Sequence, residues 1–415
     1  MERVWMQRVW AKDLAAHAGE RVRLAGWLHH QRRLARVAFV LVRDATGVVQ
    51  VVVDEPVELL PETVLELEGT VVHAEGAPGG VEIHDATVRV LAEPVEAPPV
   101  ELRRPVLKEQ LPTILDHAAV ALRHPGRREA FRVAAASVAG FRRALDELDF
   151  TEIQTPKVVA AATEGGANVF HVDWYCREAF LAQSPQFYKQ MLVGVFERVY
   201  ETGPVFRAEP HATTRHLSEY VSLDAELGFI EDEVTVMRVA RAALAGMLDE
   251  VGARCPGAVL PDVPREIPVV HFEDTGVEDV DLSPEDERRL SEWAQREHGS
   301  EFLFVTGYPL AKRPFYTHPD PDRPGFSRGF DLLFRGLEII TGGQRLHLYE
   351  DYLEALTARR ERPEAYAGYL DAFRYGMPPH GGFAIGLGRW TAQLAGAGNI
   401  RETTLFPRDL HRLAP

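Results

Sequence analysis

The stretch FRAEPHATTRHLSEYVSLDAE, residues 206–226, puts Arg207 and Glu209 at the end of one apolar run and Asp224 and Glu226 on a second, with a polar loop between them. Two antiparallel strands joined by a loop long enough to fold over a ligand account for that pattern. An arginine and a histidine inside such a hairpin can grip phosphates, and a nearby carboxylate can hold an amine.

The texture on either side supports a mixed domain. GRREAFRVAAASVAGFRRALDELDF (126–150) has helical spacing at Phe131, Val138, Phe141, Leu145 and Leu148, and runs into a strand, TEIQTPKVV, interrupted by Pro156. Further strands are expected at 179–183, 198–207, 219–229, 301–306, 328–335 and 336–341, and helices near 187–197, 232–251, 284–298, 349–359 and 363–374. Paired strands without regular βαβ alternation predict an α+β domain on an antiparallel sheet over 126–415, with a Pro- and Glu-rich insertion at about 255–300. Residues 1–95 read differently. RVRLAGWLHH, VAFVLVRD, VVQVVVD, LELEGTVVHAE and VEIHDATVRVL are short strands separated by Gly, Asp and Pro turns. Five of them in so short a span fit a small barrel, with the OB type leading. EPVEAPPVELRRP is Pro-rich and aperiodic, so 96–125 reads as a linker or hinge.

At 415 residues two domains are the natural expectation. Two cysteines, Cys176 and Cys255, are too few and too distant for a disulfide framework or a zinc site, and no zinc is expected. The N-terminal residues MERVWMQRVWAKD lack a signal-peptide core and no run reaches membrane-spanning length, so the expected location is the cytoplasm, away from membranes. A net charge of −16 weighs against nucleic acid, but only a contacting face need be basic. Arg32, Arg33 and Arg36 form one basic group, and Arg103, Arg104, Arg127 and Arg128 form others; solvated surface charge is the plain alternative.

FRxE with this hairpin resembles motif 2 of the class II aminoacyl-tRNA synthetases, where it cradles ATP. The helix and strand ending in Pro156 resemble motif 1, which builds the dimer interface in that class. GGFAIGLGRW (381–390) resembles motif 3, a glycine-rich strand entering a helix that carries an arginine. LAQSPQFYKQM (181–191) resembles the QSPQxYKQ signature of the aspartyl-tRNA synthetases, and the likeness extends through TEGGANVF (163–170), GFDLLFRGLEIITGGQRLH (329–347) and the ending FPRDLHRLAP. It implies an archaeal-type, homodimeric enzyme that makes aspartyl-adenylate from L-aspartate and ATP, then passes the aspartyl group to tRNA.

Residue by residue, the resemblance implies Lys189 and Arg345 on the side-chain carboxylate of aspartate, which suits an ammonium point charge and a guanidinium fork. Ser184 and Gln186 would fix orientation, Glu164 and Asp224 would hold the ammonium, and Phe187, Tyr188, Arg207 and Thr341 complete the set. For ATP it implies Arg207 on the α-phosphate, Glu209 on the adenine edge, and Arg215, His216 and Arg389 on the outer phosphates. Ala208, Leu217, Glu338, Gly386, Leu387 and Gly388 line the rest. Mg²⁺ accompanying ATP needs oxygen donors, for which Glu338 and Thr341, with Asp331, are the candidates; the family usually has Ser where Thr341 stands. Asp331 could equally be salt-bridged, and Lys189 could be a surface residue of a helix.

In the barrel, the resemblance assigns Phe39 to stack an anticodon base and Gln50 to bond it. His29 and Pro78 stand where relaxed enzymes, which charge both aspartate and asparagine tRNAs, carry His and Pro. Such an enzyme would need an amidotransferase to convert Asp-tRNA(Asn). The plain alternatives are a barrel surface histidine and a turn proline. Gly388, Trp390 and Leu348 depart from the family's usual residues. Rival readings are an asparaginyl-tRNA synthetase, a synthetase paralogue making a small amide, and an RNA-binding protein with an inactive catalytic domain.

Overall fold

The computed structural model describes residues 7–33, 37–54, 58–160, 168–210 and 212–414. The chain divides after residue 128 into two compact units.

In the first unit, β1 (Arg21–Arg33), β2 (Ala38–Arg43), β3 (Val48–Val53), β4 (Val64–His73) and β5 (Val81–Ala92) close into a barrel in the order β1-β2-β3-β5-β4. Alternation builds it: Val40, Val42, Val49, Val51, Leu65, Leu67 and Ile83 point inward and are buried, while their neighbours face outward. Leu14, on a 3-10 turn at Ala11–His17, joins that core. The stretch expected as an irregular linker carries α1 (Leu111–Asp116) and α2 (Ala118–Ala121). Its apolar side chains Val100, Leu102, Ile114 and Ala121 form a small core of their own, which gives those residues a reason to be ordered.

Next come α3 (Pro125–Asp146), β6 (Thr151–Glu152), and the short strands β7 (Val158–Val159), β8 (His171–Trp174) and β9 (Arg177–Leu181). They are followed by α4 (Gln186–Phe196), the hairpin β10 (Arg198–Phe206) and β11 (Glu219–Gly228), and α5 (Glu233–Arg254). Then β12 (Val269–His271), α6 (Pro284–His298), β13 (Phe302–Thr306), β14 (Gly329–Phe334) and β15 (Leu337–Gln344) lead to α7 (Tyr349–Ala358), α8 (Ala367–Arg374), β16 (His380–Gly386) and α9 (Leu387–Ala395). Eight strands form one sheet, ordered β12-β13-β14-β15-β16-β11-β10-β6, antiparallel except for the parallel pairs β12–β13 and β10–β6 at its edges. The expected strand around Pro156 splits in two: β6 joins the large sheet and β7 a small sheet with β9 and β8. A proline cannot donate to a ladder, and the chain changes sheets there.

Helix α5 buries Val236, Met237, Ala240, Ala243, Leu244, Met247 and Leu248, the three-and-four spacing of one face, in the core over the sheet. Asp232 caps its N-terminus, accepting from the Thr235 N–H. Helices α3 and α5 cross at Gly140 and Gly246, where a β-carbon on Gly140 would stand 2.3 Å from the Gly246 carbonyl oxygen. The region expected as an insertion at 255–300 supplies the edge strand β12, and α6 buries Leu290 and Ala294 against β13 and β14 residues. No helix among the described residues is long and apolar enough to cross a membrane.

Candidate functional site

The second unit holds a cavity of about 330 Å³, lined from the start of α4, the β10–β11 hairpin, β14, β15 and the turn from β16 into α9. At one end Ser184, Gln186, Lys189, Asp224 and Arg345 meet. Gln186, Lys189 and Gln190 lie one turn apart on α4 and share its buried face, whereas Asp224 and Glu226, two apart on β11, share a sheet face. The Lys189 ammonium donates to Asp224 Oδ1 (3.0 Å) and to the Phe383 carbonyl (3.2 Å), and stands 3.3 Å from Glu226 Oε2. Arg345 donates through Nε to Glu226 Oε1 (3.0 Å) and through a terminal nitrogen to the Gly382 carbonyl (3.1 Å). Lys189, Asp224 and Glu226 are at most 2% exposed, so this is a buried array of charges and not the surface lysine of the plain alternative.

Glu226 had no assigned role in the sequence reading. Its signal was the D-x-E alternation on a strand, which puts both carboxylates on one side. Burial alone would raise its pKa; Arg345 and Lys189 overcome that and hold the carboxyl below its ordinary range. Gly382 is glycine for this reason: a β-carbon there would fall 2.0 Å from Glu226 Oε2.

Behind the pocket lies a closed polar network. Gln190 Nε2 donates to Tyr352 Oη (3.2 Å) and meets His380 Nε2 (3.0 Å), while Gln190 Oε1 accepts from Gln186 Nε2 (3.0 Å) and Tyr369 Oη (3.0 Å). With Nε2 accepting, His380 donates from Nδ1 to the Pro378 carbonyl (3.0 Å). Burial lowers the His380 pKa to about 4, so the ring is neutral near pH 7. Phe187 and Tyr188, expected at the amino-acid site, do not line the cavity. Phe187 sits on another side of α4 and stacks on Tyr369, with ring centroids 4.3 Å apart, inside an aromatic core between α4, α7 and α8.

At the other end, Arg207 follows β10 directly and its guanidinium lies 5.8 Å from the Tyr220 ring. Glu209, Arg215, His216 and Leu217 reach the cavity from the hairpin loop, and Gly386, Gly388 and Arg389 from the turn into α9. Ala208 and Leu387 do not line it. The Ala208 N–H bonds the Asn168 carbonyl, and Leu387 packs on the main core. Arg215 makes a bidentate bridge to Glu287 (2.7 and 3.0 Å), and Arg389 stands 3.4 Å from Glu338 Oε2. The two unusual residues near Arg389 are accommodated by packing. Trp390 is fully buried and donates to Ser137 Oγ (2.9 Å), and Gly388 lies against Ile400.

Asp331 faces Thr341 across the β14–β15 ladder, and Glu338 immediately precedes a bulge at Ile339 on β15. Asp331 is bonded to Arg313 (3.0 Å), whose guanidinium lies 3.9 Å from the Tyr308 ring. Asp331 is thus salt-bridged while also lining the cavity beside Glu338 and Thr341. Glu338 and Thr341 both face the cavity and offer oxygen donors of the kind Mg²⁺ takes. Burial pushes the Glu338 carboxyl above its ordinary range against the opposing pull of Arg389. Among the described residues no group of three His, Cys, Asp or Glu side chains could hold a metal unaided. Glu164 lies outside the described residues.

On the barrel, Phe39 and Gln50 sit on the outward faces of neighbouring strands, where Phe39 pairs with Val52 and Gln50 with Leu41. The Arg32 guanidinium is 6.0 Å from the Phe39 ring, and Gln50 donates to Glu82 (2.8 Å). His29 lies 3.3 Å from Arg43, which bonds Glu62 bidentately (2.9 Å each) with both side chains buried. Burial and then Arg43 lower its pKa to about 4. Pro78 opens an exposed 3-10 turn, Pro78–Gly80.

Residues 110–410 match the model of the tRNA synthetases class II (D, K and N), and residues 22–91 that of the OB-fold nucleic acid binding domain. The chain is 51% identical, over 98% of its length, to an aspartate–tRNA(Asp/Asn) ligase of Thermus thermophilus, 100% of which is covered. It is 45% identical to one of Deinococcus radiodurans, with 99% of each chain covered. Among solved structures, asparaginyl-tRNA synthetase from Pyrococcus horikoshii complexed with asparaginyl-adenylate is similar at a TM-score of 0.89 and 30% identity, covering 99% of this chain and 100% of that one.

Proposed function

We propose that this chain, which belongs to the class II tRNA synthetases (D, K and N), is an aspartate–tRNA ligase that charges both the aspartate and the asparagine tRNA. The observation that carries the amino-acid assignment is the buried pair of cations, Lys189 and Arg345, at one end of a cavity whose other end presents Arg207 and Arg389. A side-chain carboxylate gains from two such cations what a neutral amide does not. The identity to aspartate–tRNA(Asp/Asn) ligases favours the same substrate and the relaxed tRNA range. The asparaginyl enzyme of similar fold is the rival reading.

In the first step an α-carboxylate oxygen of aspartate attacks the α-phosphorus of ATP. The bond to the bridging oxygen of the β-phosphate breaks, and pyrophosphate leaves. Arg207 neutralises the charge shared by the attacking carboxylate and the α-phosphate, with Arg389, Arg215 and His216 toward the outer phosphates and Glu209 at the adenine edge. Ser184 and Gln186 orient the amino acid, and Asp224 and Glu164 take its ammonium. A ribose hydroxyl at the tRNA terminus then attacks the aspartyl carbonyl and AMP leaves. No side chain is required as nucleophile. Mg²⁺, held by Glu338 and Thr341 with Asp331 beside them, would supply counter-charge to the phosphates.

Residues 1–95 serve as the anticodon reader through Phe39 and Gln50, residues 96–125 as the hinge, and 126–415 as the catalytic domain. The reading further takes the protein as a cytoplasmic homodimer joined through α3 and β6, with an amidotransferase acting on its Asp-tRNA(Asn). The test is ATP–pyrophosphate exchange with L-aspartate and L-asparagine in parallel, followed by charging of the two purified tRNAs. Exchange driven by asparagine would transfer the assignment to the rival.

A further inference from the structure

The region 255–300 carries no motif of the resemblance, yet its helix α6 delivers a buried carboxylate to the nucleotide end of the cavity. Helix α6 starts at a capping box, in which the Ser283 hydroxyl and Asp286 carboxylate serve each other's backbone N–H, with Pro284 at the first helical position. That rigid start fixes the next residue, Glu287, whose side chain is 4% exposed. Both of its oxygens are used: Oε1 accepts from Arg215 (2.7 Å), and Oε2 accepts from Arg215 (3.0 Å) and from the backbone N–H of Glu338 (3.2 Å). Arg389 ties the same two residues through their backbone carbonyls. It donates to the Arg215 carbonyl (3.4 Å) and the Glu338 carbonyl (3.3 Å).

Arg215 lines the cavity and Glu287 does not. A long arginine side chain otherwise samples many rotamers, and fixing it costs conformational entropy that a bidentate carboxylate offsets. We propose that Glu287 is a positioning residue for the nucleotide: it holds the Arg215 guanidinium at the cavity wall, against the strand that bears Glu338, ready for the outer phosphates. The 255–300 region thereby becomes a working part of the nucleotide site. The inference rests on the ligase reading, in which those phosphates are ATP's.

A positioning role predicts a specific kinetic signature. In aspartate-dependent ATP–pyrophosphate exchange, Glu287→Gln, which keeps shape and loses charge, raises KM for ATP about tenfold, or ~1.4 kcal/mol. The KM for aspartate stays within twofold, because the Lys189–Arg345 end is untouched. Glu287→Asp, which keeps the charge on a shorter arm, recovers part of the loss. In an Arg215→Ala background the Glu287→Gln change has little further effect, since the guanidinium it held is gone and the glutamine oxygen still accepts from the Glu338 N–H. An unchanged KM for ATP, equal changes in both KM values, or additive losses in the double variant would each overturn the proposal. Exchange by the unmodified protein separates the two levels: its absence with aspartate defeats the ligase reading, whereas its presence with unaltered Glu287 variants defeats only this inference.

Discussion

Replacing Lys189 by Met removes the ammonium while keeping the length of the side chain, and the structure sets the size of two effects. The first falls on the substrate: one lost charge-assisted bond is worth about 1.5–3 kcal/mol, so kcat/KM for aspartate should drop roughly 10- to 150-fold. The second falls on the protein, because Lys189 also holds Asp224 at 3.0 Å and Glu226 at 3.3 Å inside the core. Stranding a buried charge costs about 3–5 kcal/mol. The lower end applies here, since Glu226 keeps Arg345 at 3.0 Å and Asp224 keeps the Ser222 hydroxyl at 2.5 Å. At about 2–4 °C per kcal/mol, the melting temperature should fall by roughly 6–12 °C. Exchange is therefore measured well below the variant's own melt, with active sites counted by adenylate formation at saturating aspartate. A folded Lys189→Met protein whose kcat/KM for aspartate stays within twofold of the original would refute the carboxylate assignment.

Three more outcomes are expected. Glu338→Gln should depress adenylate formation about tenfold or more and raise the Mg²⁺ concentration needed for half-maximal rate, read from a magnesium titration of the exchange reaction; unchanged magnesium dependence would make Glu338 structural. His380, neutral in the fold with a pKa of about 4 against 6.5 when unfolded, favours the folded state above pH 6.5; this contribution, on the order of 3 kcal/mol, is lost as pH falls toward 4. Thermal melts between pH 7 and 4.5 should therefore steepen downward, and less so in His380→Gln. Aspartate and asparagine codons differ in their first base, so the two anticodons differ in their third, C against U. His29→Trp with Pro78→Lys should then weaken charging of the asparagine tRNA by about 1–3 kcal/mol, or roughly 5- to 150-fold, while sparing the aspartate tRNA, as read from initial charging rates. Equal weakening of both tRNAs would make those positions structural.

Local pattern carried most of the architecture into the sequence. The strand alternation of Val40, Val42, Val49 and Val51 announces the barrel, and the spacing of Phe141 and Leu145 announces α3. Residues whose role depends on a distant partner were less visible. Phe187 sits inside a signature that otherwise lines the site, but its helical phase turns it toward Tyr369, about 180 residues downstream. Arg313 reads as one more charge in a turn until β14 brings Asp331 beside it. Glu287 lies in a stretch of acidic residues that looks like a solvated helix face, and only the fold turns it inward against a loop 72 residues away. The polar network of Gln190, Tyr352, Tyr369 and His380 joins three separate helices and a strand, and no spacing in the sequence relates them.

The cavity's charges explain why an acidic chain can still serve a polyanion. Lys189 with Asp224, Arg345 with Glu226, Arg389 with Glu338, Arg215 with Glu287 and Arg313 with Asp331 are five cation–carboxylate pairs in or against one cavity. Paired in this way, the cations can be held nearly dry without the full desolvation penalty of isolated charges, whatever the net charge elsewhere. An incoming phosphate or carboxylate then competes with, or shares, an existing partner. Selectivity becomes a difference between two well-made bonds, and it does not require a strongly positive surface. The same pairing has an experimental consequence. Deleting either member strands the other, so any single substitution here mixes lost stability with lost binding. Only cycles that remove both members, as with Arg215 and Glu287, separate what a residue does for the ligand from what it does for its neighbour.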